Sequence, residues 1–234
     1  MKYEITPELL KRIAGASGSK RVIDGLVQYL PDVMDDYNID TRLRIAHFLG
    51  QLGHESDHFR TLQEYATGDA YEGRRDLGNT KRGDGRRYKG RGPLQITGRY
   101  NYRKYGDLLG VDLENNPELA ATPEIGVKIA AAFWNENGLN DWADQDKIKV
   151  ITRRINGGYN GLQSRIDMVE RAKDLLTVKT NAPAPTPVPK KETPKPVKPE
   201  PVKPEPTPVQ VKEEPTSLPF FVSNDLENSN NNEG

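Results

Sequence analysis

Apolar residues recur at helical spacing along most of the chain, and no stretch shows the period of two that marks a half-buried strand. Thr6-Pro7-Glu8 supplies an N-cap, a proline at the first helical position and an early acid ahead of LLKRIAG, which Gly15 can stop. In TRLRIAHFLGQLGHESDHF (41–59), preceded by Asp40, the side chains of Ile45, Phe48, Leu49, Leu52 and Phe59 share one side of a predicted helix. Thr122-Pro123-Glu124 opens a third helix, EIGVKIAAAFWNENG, closed by Asn137-Gly138. A last one runs through SRIDMVERAKDLL after the turn at Gly157-Gly158. Between them, the glycine-rich stretch 66–95 is long and irregular, which is unusual in a compact domain unless it serves function.

Composition divides the chain. From Asn181 to Thr216 there are twelve prolines and no aromatic residue, with PVKPE at 196–200 repeated at 201–205. Such a segment cannot bury enough apolar surface to fold and reads as an extended polyproline-II spacer. The expected organisation is a mainly α domain over 1–178, a disordered Pro/Lys/Glu-rich spacer over 179–216, and a short tail over 217–234. In that tail LPFFV is a candidate docking peptide for a protein partner.

Charge narrows the partners. The chain carries 34 basic and 34 acidic residues, which gives no overall electrostatic reason for nucleic acid. No stretch is long and apolar enough to insert in a bilayer, and the start lacks the apolar run of a secretory signal. A soluble monomer made in the cytosol is the expectation. With no cysteine, disulfide and thiolate chemistry are excluded.

The chemistry centres on GQLGHESDHF (50–59). His54, Glu55 and His58 form the H-E-x-x-H pattern of zinc proteases, whose two histidines share a helix face, and His47 falls on that same face. A catalytic zinc needs a third ligand, yet Thr61 and Glu64 stand where the extended motif has glycine and histidine. Only a distant acid such as Glu136 is left for that role. Glu55, by contrast, falls at the border of the apolar stripe and points away from the histidines, where a carboxylate is costly unless paired or protonated. A second carboxylate, Glu64, follows in LQEYATGDAYEG at the mouth of the glycine-rich stretch. Two carboxylates across a cleft are what glycoside hydrolysis requires.

KGRGPLQITGRYNYRKYG (89–106), INGGYN (155–160) and SRIDMV from Ser164, together with AHFLGQLGHES, resemble glycoside hydrolase family 19, and especially its compact, cysteine-free phage and prophage endolysins. The resemblance covers about residues 40–176 and implies a lysozyme-like, two-lobed helical domain. It also implies a metal-independent inverting mechanism without cofactors. Glu55 would be the general acid and Glu64 the general base, with Glu72 its rival. Thr97 would hold the water; Gln95, Tyr100, Asn101 and Asn156 would contact sugar; Arg165 would pair with the acidic cluster. His58 has no family role. Burial near Phe48 and Phe59 and repulsion from Glu64 would raise the pKa of the acid, opposed by Arg165 unless that arginine sits nearer the base. Glycines 83, 85, 90 and 92 are expected to let backbone approach the glycan. The expected substrate is the β-1,4-linked N-acetylhexosamine strand of peptidoglycan, cut in bacterial lysis after release from the cytosol, with chitin as the alternative. A catalytically inactive glycan-binding protein and a zinc protease are the other readings.

Overall fold

The computed structural model describes residues 2–15 and 17–176; the predicted spacer and terminal tail lie outside the described residues. These residues form ten α-helices: α1 (Pro7–Ile13), α2 (Lys20–Val27), α3 (Leu30–Asp36), α4 (Arg42–Glu55), α5 (Asp84–Arg87), α6 (Arg99–Leu109), α7 (Pro123–Glu136), α8 (Leu139–Asp144), α9 (Ile148–Asn156) and α10 (Leu162–Leu175). The mainly α expectation holds: among the described residues, β structure is limited to two isolated bridges, Gln63 with Arg91 and Arg91 with Ile96. None of these helices is long and apolar enough to cross a membrane.

Local chemistry accounts for most boundaries. Thr6 accepts a hydrogen bond from the Leu9 amide with Pro7 at the first helical position, as expected for α1. The start of α4 is capped by Thr41, whose hydroxyl accepts from the Arg44 amide at 3.2 Å, one residue later than Asp40 suggests. Thr122 makes no side-chain cap to α7; its hydroxyl donates back to the Leu119 carbonyl at 2.7 Å. Prolines at the first helical positions of α1 and α7 need no hydrogen bond there in any case.

The end of α4 departs from the pattern. The helix stops at Glu55, and Asp57, His58 and Phe59 take left-handed backbone angles with φ of 49°, 59° and 58°. Each costs roughly 1–2 kcal/mol for an L-residue, so the turn must be held from elsewhere. The Ser56 hydroxyl donates to Leu52 O at 2.7 Å and accepts from Phe59 N at 3.1 Å, and His58 N reaches Gly53 O at 2.7 Å. Phe59 is fully buried after this turn, so its hydrophobicity is satisfied without continuing the helix.

Helix α4 is the centre of the domain rather than an amphipathic surface helix. Residues 45 to 53 are all buried, including His47 and Gln51, and Phe48 meets Trp134 of α7 edge to face at 5.2 Å. Helix α10 packs along it, with α1 against both. The approach is close because Gly50 and Gly53 face α10: a Cβ on Gly50 would lie 2.5 Å from Val169 Cγ2 and 3.0 Å from the Val169 amide nitrogen. Gly50→Ala would gain about 1 kcal/mol of helix propensity, but overpacking against backbone costs roughly 1–3 kcal/mol. A fall in melting temperature of about 5 °C is expected in thermal unfolding; an unchanged or raised value would show that α10 yields freely.

Candidate active site

Close packing of α10 on α4 brings Arg165 to the last turn of α4. Its guanidinium is fully buried; Nη2 lies 2.5 Å from Oε1 of Glu55, Nη1 donates to Gln51 Oε1 at 2.6 Å, and Nε donates to the Asn160 carbonyl at 3.2 Å. The Glu55 side chain keeps 8% of its surface. Arg165 therefore engages Oε1 of Glu55 both by charge and by hydrogen bonding. Burial pushes the Glu55 carboxyl above the usual carboxylate range, and the arginine's charge and proximity oppose that rise without cancelling it. Repulsion from Glu64 is not among the causes. The arginine therefore sits on the expected acid and not beside the base. Burial alone is what raises the acid's pKa.

Glu64 lies on the segment bridged to the 90–97 turn. Its amide donates to Gly90 O at 3.0 Å, and the Gly90 amide returns a 3.0 Å hydrogen bond to Oε2 of the carboxylate. The Tyr71 hydroxyl donates to the same oxygen at 3.0 Å. Burial, reinforced by the Glu64 charge, raises Tyr71 further above the physiological range, so its proton stays available to donate. Oε1 of Glu64 is buried and has no partner. A Cβ on Gly90 would come within 2.6 Å of Glu64 Oε2 and 2.9 Å of Gln95 Oε1, so this glycine is what lets the two side chains converge. Gly85 and Gly92 also let backbone pack on backbone, beside Glu72 and Gly68 for one and Ala120 and Gly126 for the other.

The remaining predicted residues fall around these two carboxyls' elements. Gln95, itself at φ 49°, ties its amide to Gly92 O and leaves buried Oε1 unpaired. Thr97 is 2% exposed and donates to Gln95 O at 3.1 Å, leaving its oxygen able to accept. Asn101, in the first turn of α6, donates to Thr97 O at 2.9 Å, while Tyr100 beside it is exposed. Asn156 ends α9, with its Oδ1 buried and unpaired. Three buried acceptors without donors, on Glu64, Gln95 and Asn156, thus belong to residues predicted for the site, although buried polar atoms normally find partners.

Glu72 is already engaged: its two oxygens accept the amides of Gly83 at 2.6 Å and Gly85 at 2.9 Å. The zinc pattern comes apart in three dimensions. His58 leaves the helix and contacts Ala14 O at 3.0 Å, while His54 contacts Ser164 Oγ at 3.1 Å. Burial and the Arg165 charge lower His54 to about 3, so the ring is neutral. His47 is fully buried against Asp146 at 2.7 Å and not solvated, and Glu136 is held by Lys104 and Tyr105. Among the described residues no group of three or more His, Asp or Glu could hold a metal ion. Two residues of this network were not foreseen. Gln51, which shares Arg165 with Glu55, stands one helical turn before Glu55, a spacing that could have flagged it, whereas nothing near Tyr71 signals its link to Glu64.

A family model described as Chitinase class I, of glycosyl hydrolase family 19, matches residues 34–156, more than half of the chain. The chain belongs to glycoside hydrolase family 19. The match runs from the end of α3 to Asn156 and so includes Glu55, Glu64, Gln95, Thr97, Tyr100 and Asn101. A family 19 domain-containing protein of Haemophilus influenzae is 30% identical over 174 residues, 61% of this chain and 85% of that protein. Acidic endochitinase Q of Nicotiana tabacum is 37% identical over 150 residues, 55% of this chain; the chain spans 56% of that enzyme. The crystal structure of a bacterial family 19 chitinase superposes with a TM-score of 0.57 at 25% identity, covering 75% of this chain and 96% of the other. As a family 19 member the protein is a glycoside hydrolase acting on glycan, with the helical, lysozyme-like fold of that family.

Proposed function

We propose that this family 19 domain hydrolyses the β-1,4 bonds between N-acetylhexosamines of peptidoglycan, in bacterial lysis, by an inverting two-carboxylate mechanism. The observation that supports it is the unlike setting of two buried carboxyls, Glu55 against an arginine and Glu64 held through Oε2 by Tyr71 and the Gly90 amide with Oε1 free. Glu55, desolvated and raised, is the general acid that protonates the glycosidic oxygen. Glu64, steadied by Tyr71 and the Gly90 amide on Oε2, is the general base through Oε1. The Thr97 hydroxyl, its proton committed to Gln95 O, accepts a hydrogen bond from the attacking water and orients it. Glu72 is the weaker claimant because a carboxylate holding two backbone amides would release the loop on taking up a proton. An inverting reaction needs the two carboxyls about 6.5–9.5 Å apart, with room for that water, and no covalent intermediate.

Peptidoglycan is preferred to chitin because the domain is short and has no cysteine, and because a bacterial protein is similar over 85% of its own length. Chitin is the second reading, favoured by the structural likeness to a bacterial chitinase. Incubation with purified peptidoglycan and with chitin oligomers, with and without chelator, separates them. New reducing ends from peptidoglycan, appearing first as the α-anomer and unaffected by chelation, are expected. A retained anomer, or activity lost to chelator and restored by zinc, would refute the mechanism; cleavage of chitin alone would move the substrate.

A further inference from the structure

The charge balance of the whole chain hides a local excess. Between positions 72 and 91 stand eight Lys and Arg against three Asp and Glu. All three acids are already engaged: Glu72 by two backbone amides, Asp76 by Arg74, and Asp84 by Arg99. Outside the segment, Asp69 takes Arg86. Lys89, Arg87 and Arg91 donate to backbone carbonyls, which hold them in place without neutralising them. Arg75, Lys81 and Arg82 are exposed and have no ion-pair partner among the described residues.

This basic lobe is fastened to the candidate site at both of its roots. It begins directly after Tyr71, the donor to Glu64. On its other side Leu77 packs on Gly98, Gly78 lies against the Tyr100 backbone, and the buried Asn79 accepts the Arg99 amide at the start of α6 while its own amide donates to Tyr71 O. Arg75 and Lys81 are therefore carried on a segment pinned between the proposed base and an exposed tyrosine of the predicted sugar contacts. Because the lobe is anchored beside the site, anionic groups attached to the substrate strand itself are the ones that fit it. A bare polymer of N-acetylhexosamine has none.

We propose that Arg75, Lys81 and Arg82 form a docking surface for the free carboxylates of peptides attached to the glycan strand, which selects peptide-bearing peptidoglycan over neutral chitin. This rests on the proposed glycosidase reading and deepens its substrate class. Exposed charges act through screened fields with a range of about 8 Å at physiological salt, and each such contact contributes little alone. Three together are expected to change affinity roughly five- to tenfold.

The test compares the full chain with an Arg75→Gln/Lys81→Gln/Arg82→Gln variant on three substrates: intact peptidoglycan, amidase-stripped strands lacking peptides, and chitin oligomers. At low salt the KM for intact peptidoglycan should rise roughly five- to tenfold with kcat unchanged, and the difference should shrink towards nothing at high salt. On neutral chitin oligomers the two proteins should behave alike, which also shows that the variant folds, and on stripped strands, which keep only the lactyl carboxylate that the amidase exposes, the difference should be smaller than on intact peptidoglycan. Arg75→Lys/Arg82→Lys should retain the wild-type KM. An unchanged KM on intact peptidoglycan at low salt overturns the docking surface and leaves the glycosidase reading standing. So does an effect that follows removal of wall-linked phosphate polymers instead of peptides. Absence of any cleavage of peptidoglycan by the wild-type protein overturns the parent reading itself.

Discussion

Glu55→Gln lowers kcat by about a thousandfold and leaves KM nearly unchanged, because the amide keeps the shape of the side chain but cannot deliver a proton. General acid catalysis contributes typically 10²–10⁴-fold, and the buried setting of Glu55 places this acid well inside that range. The pH dependence has a definite sign. The acid works in its protonated form, which is fully present below its raised pKa and is lost as pH rises through it. The alkaline limb of the wild-type kcat profile should therefore lie above about 4.3, the ordinary glutamate value, and should vanish from the residual activity of the variant. Activity within tenfold of wild type would remove Glu55 from the role.

Arg165→Met should be the most damaging single change to stability among the residues of the site. Removing one partner of a buried ion pair costs roughly 3–5 kcal/mol. Here Gln51 Oε1 and Asn160 O lose donors at the same time. A fall in melting temperature of about 10 °C follows for a domain of this size. Loss of the arginine's charge also acts on Glu55, which predicts the second readout. The arginine opposes the rise of the Glu55 pKa, so without it the alkaline limb moves to higher pH. Arg165→Lys should fall between, keeping the charge but losing the fork that spans Glu55, Gln51 and Asn160. A melting temperature within 2 °C of wild type, together with an unmoved limb, would mean the pair is incidental.

The first helix, the start of α4, the close of α7 at Asn137-Gly138 and the last helix were legible because caps, prolines and glycines act over three or four residues. The end of α4 was not. Phe59 continues the apolar period, and only the set of contacts made by Ser56, Gly53 and the core shows that it is buried through a left-handed turn. That one turn separates His58 from His54 and dissolves the apparent metal motif. The same kind of non-local information decided the partner of Arg165: its sequence neighbourhood could not say whether it faced the acid or the base. The narrow contact at Gly50 and Gly53, set by α10 lying on α4, puts it on Glu55.

The sequence by itself determined the helical class, the residues available for two-carboxylate chemistry and the order of motifs that marks family 19, because these depend on local periodicity and residue identity. Only the tertiary structure decided which groups stand in which field. Glu55 is raised by burial against an arginine 110 residues away in the chain. Glu64 is held by Tyr71 and Gly90, and Glu72 is spent on a loop. Desolvation and hydrogen bonding act over a few ångströms of space, whatever the separation along the chain, so GHES names the acid while the fold raises its pKa.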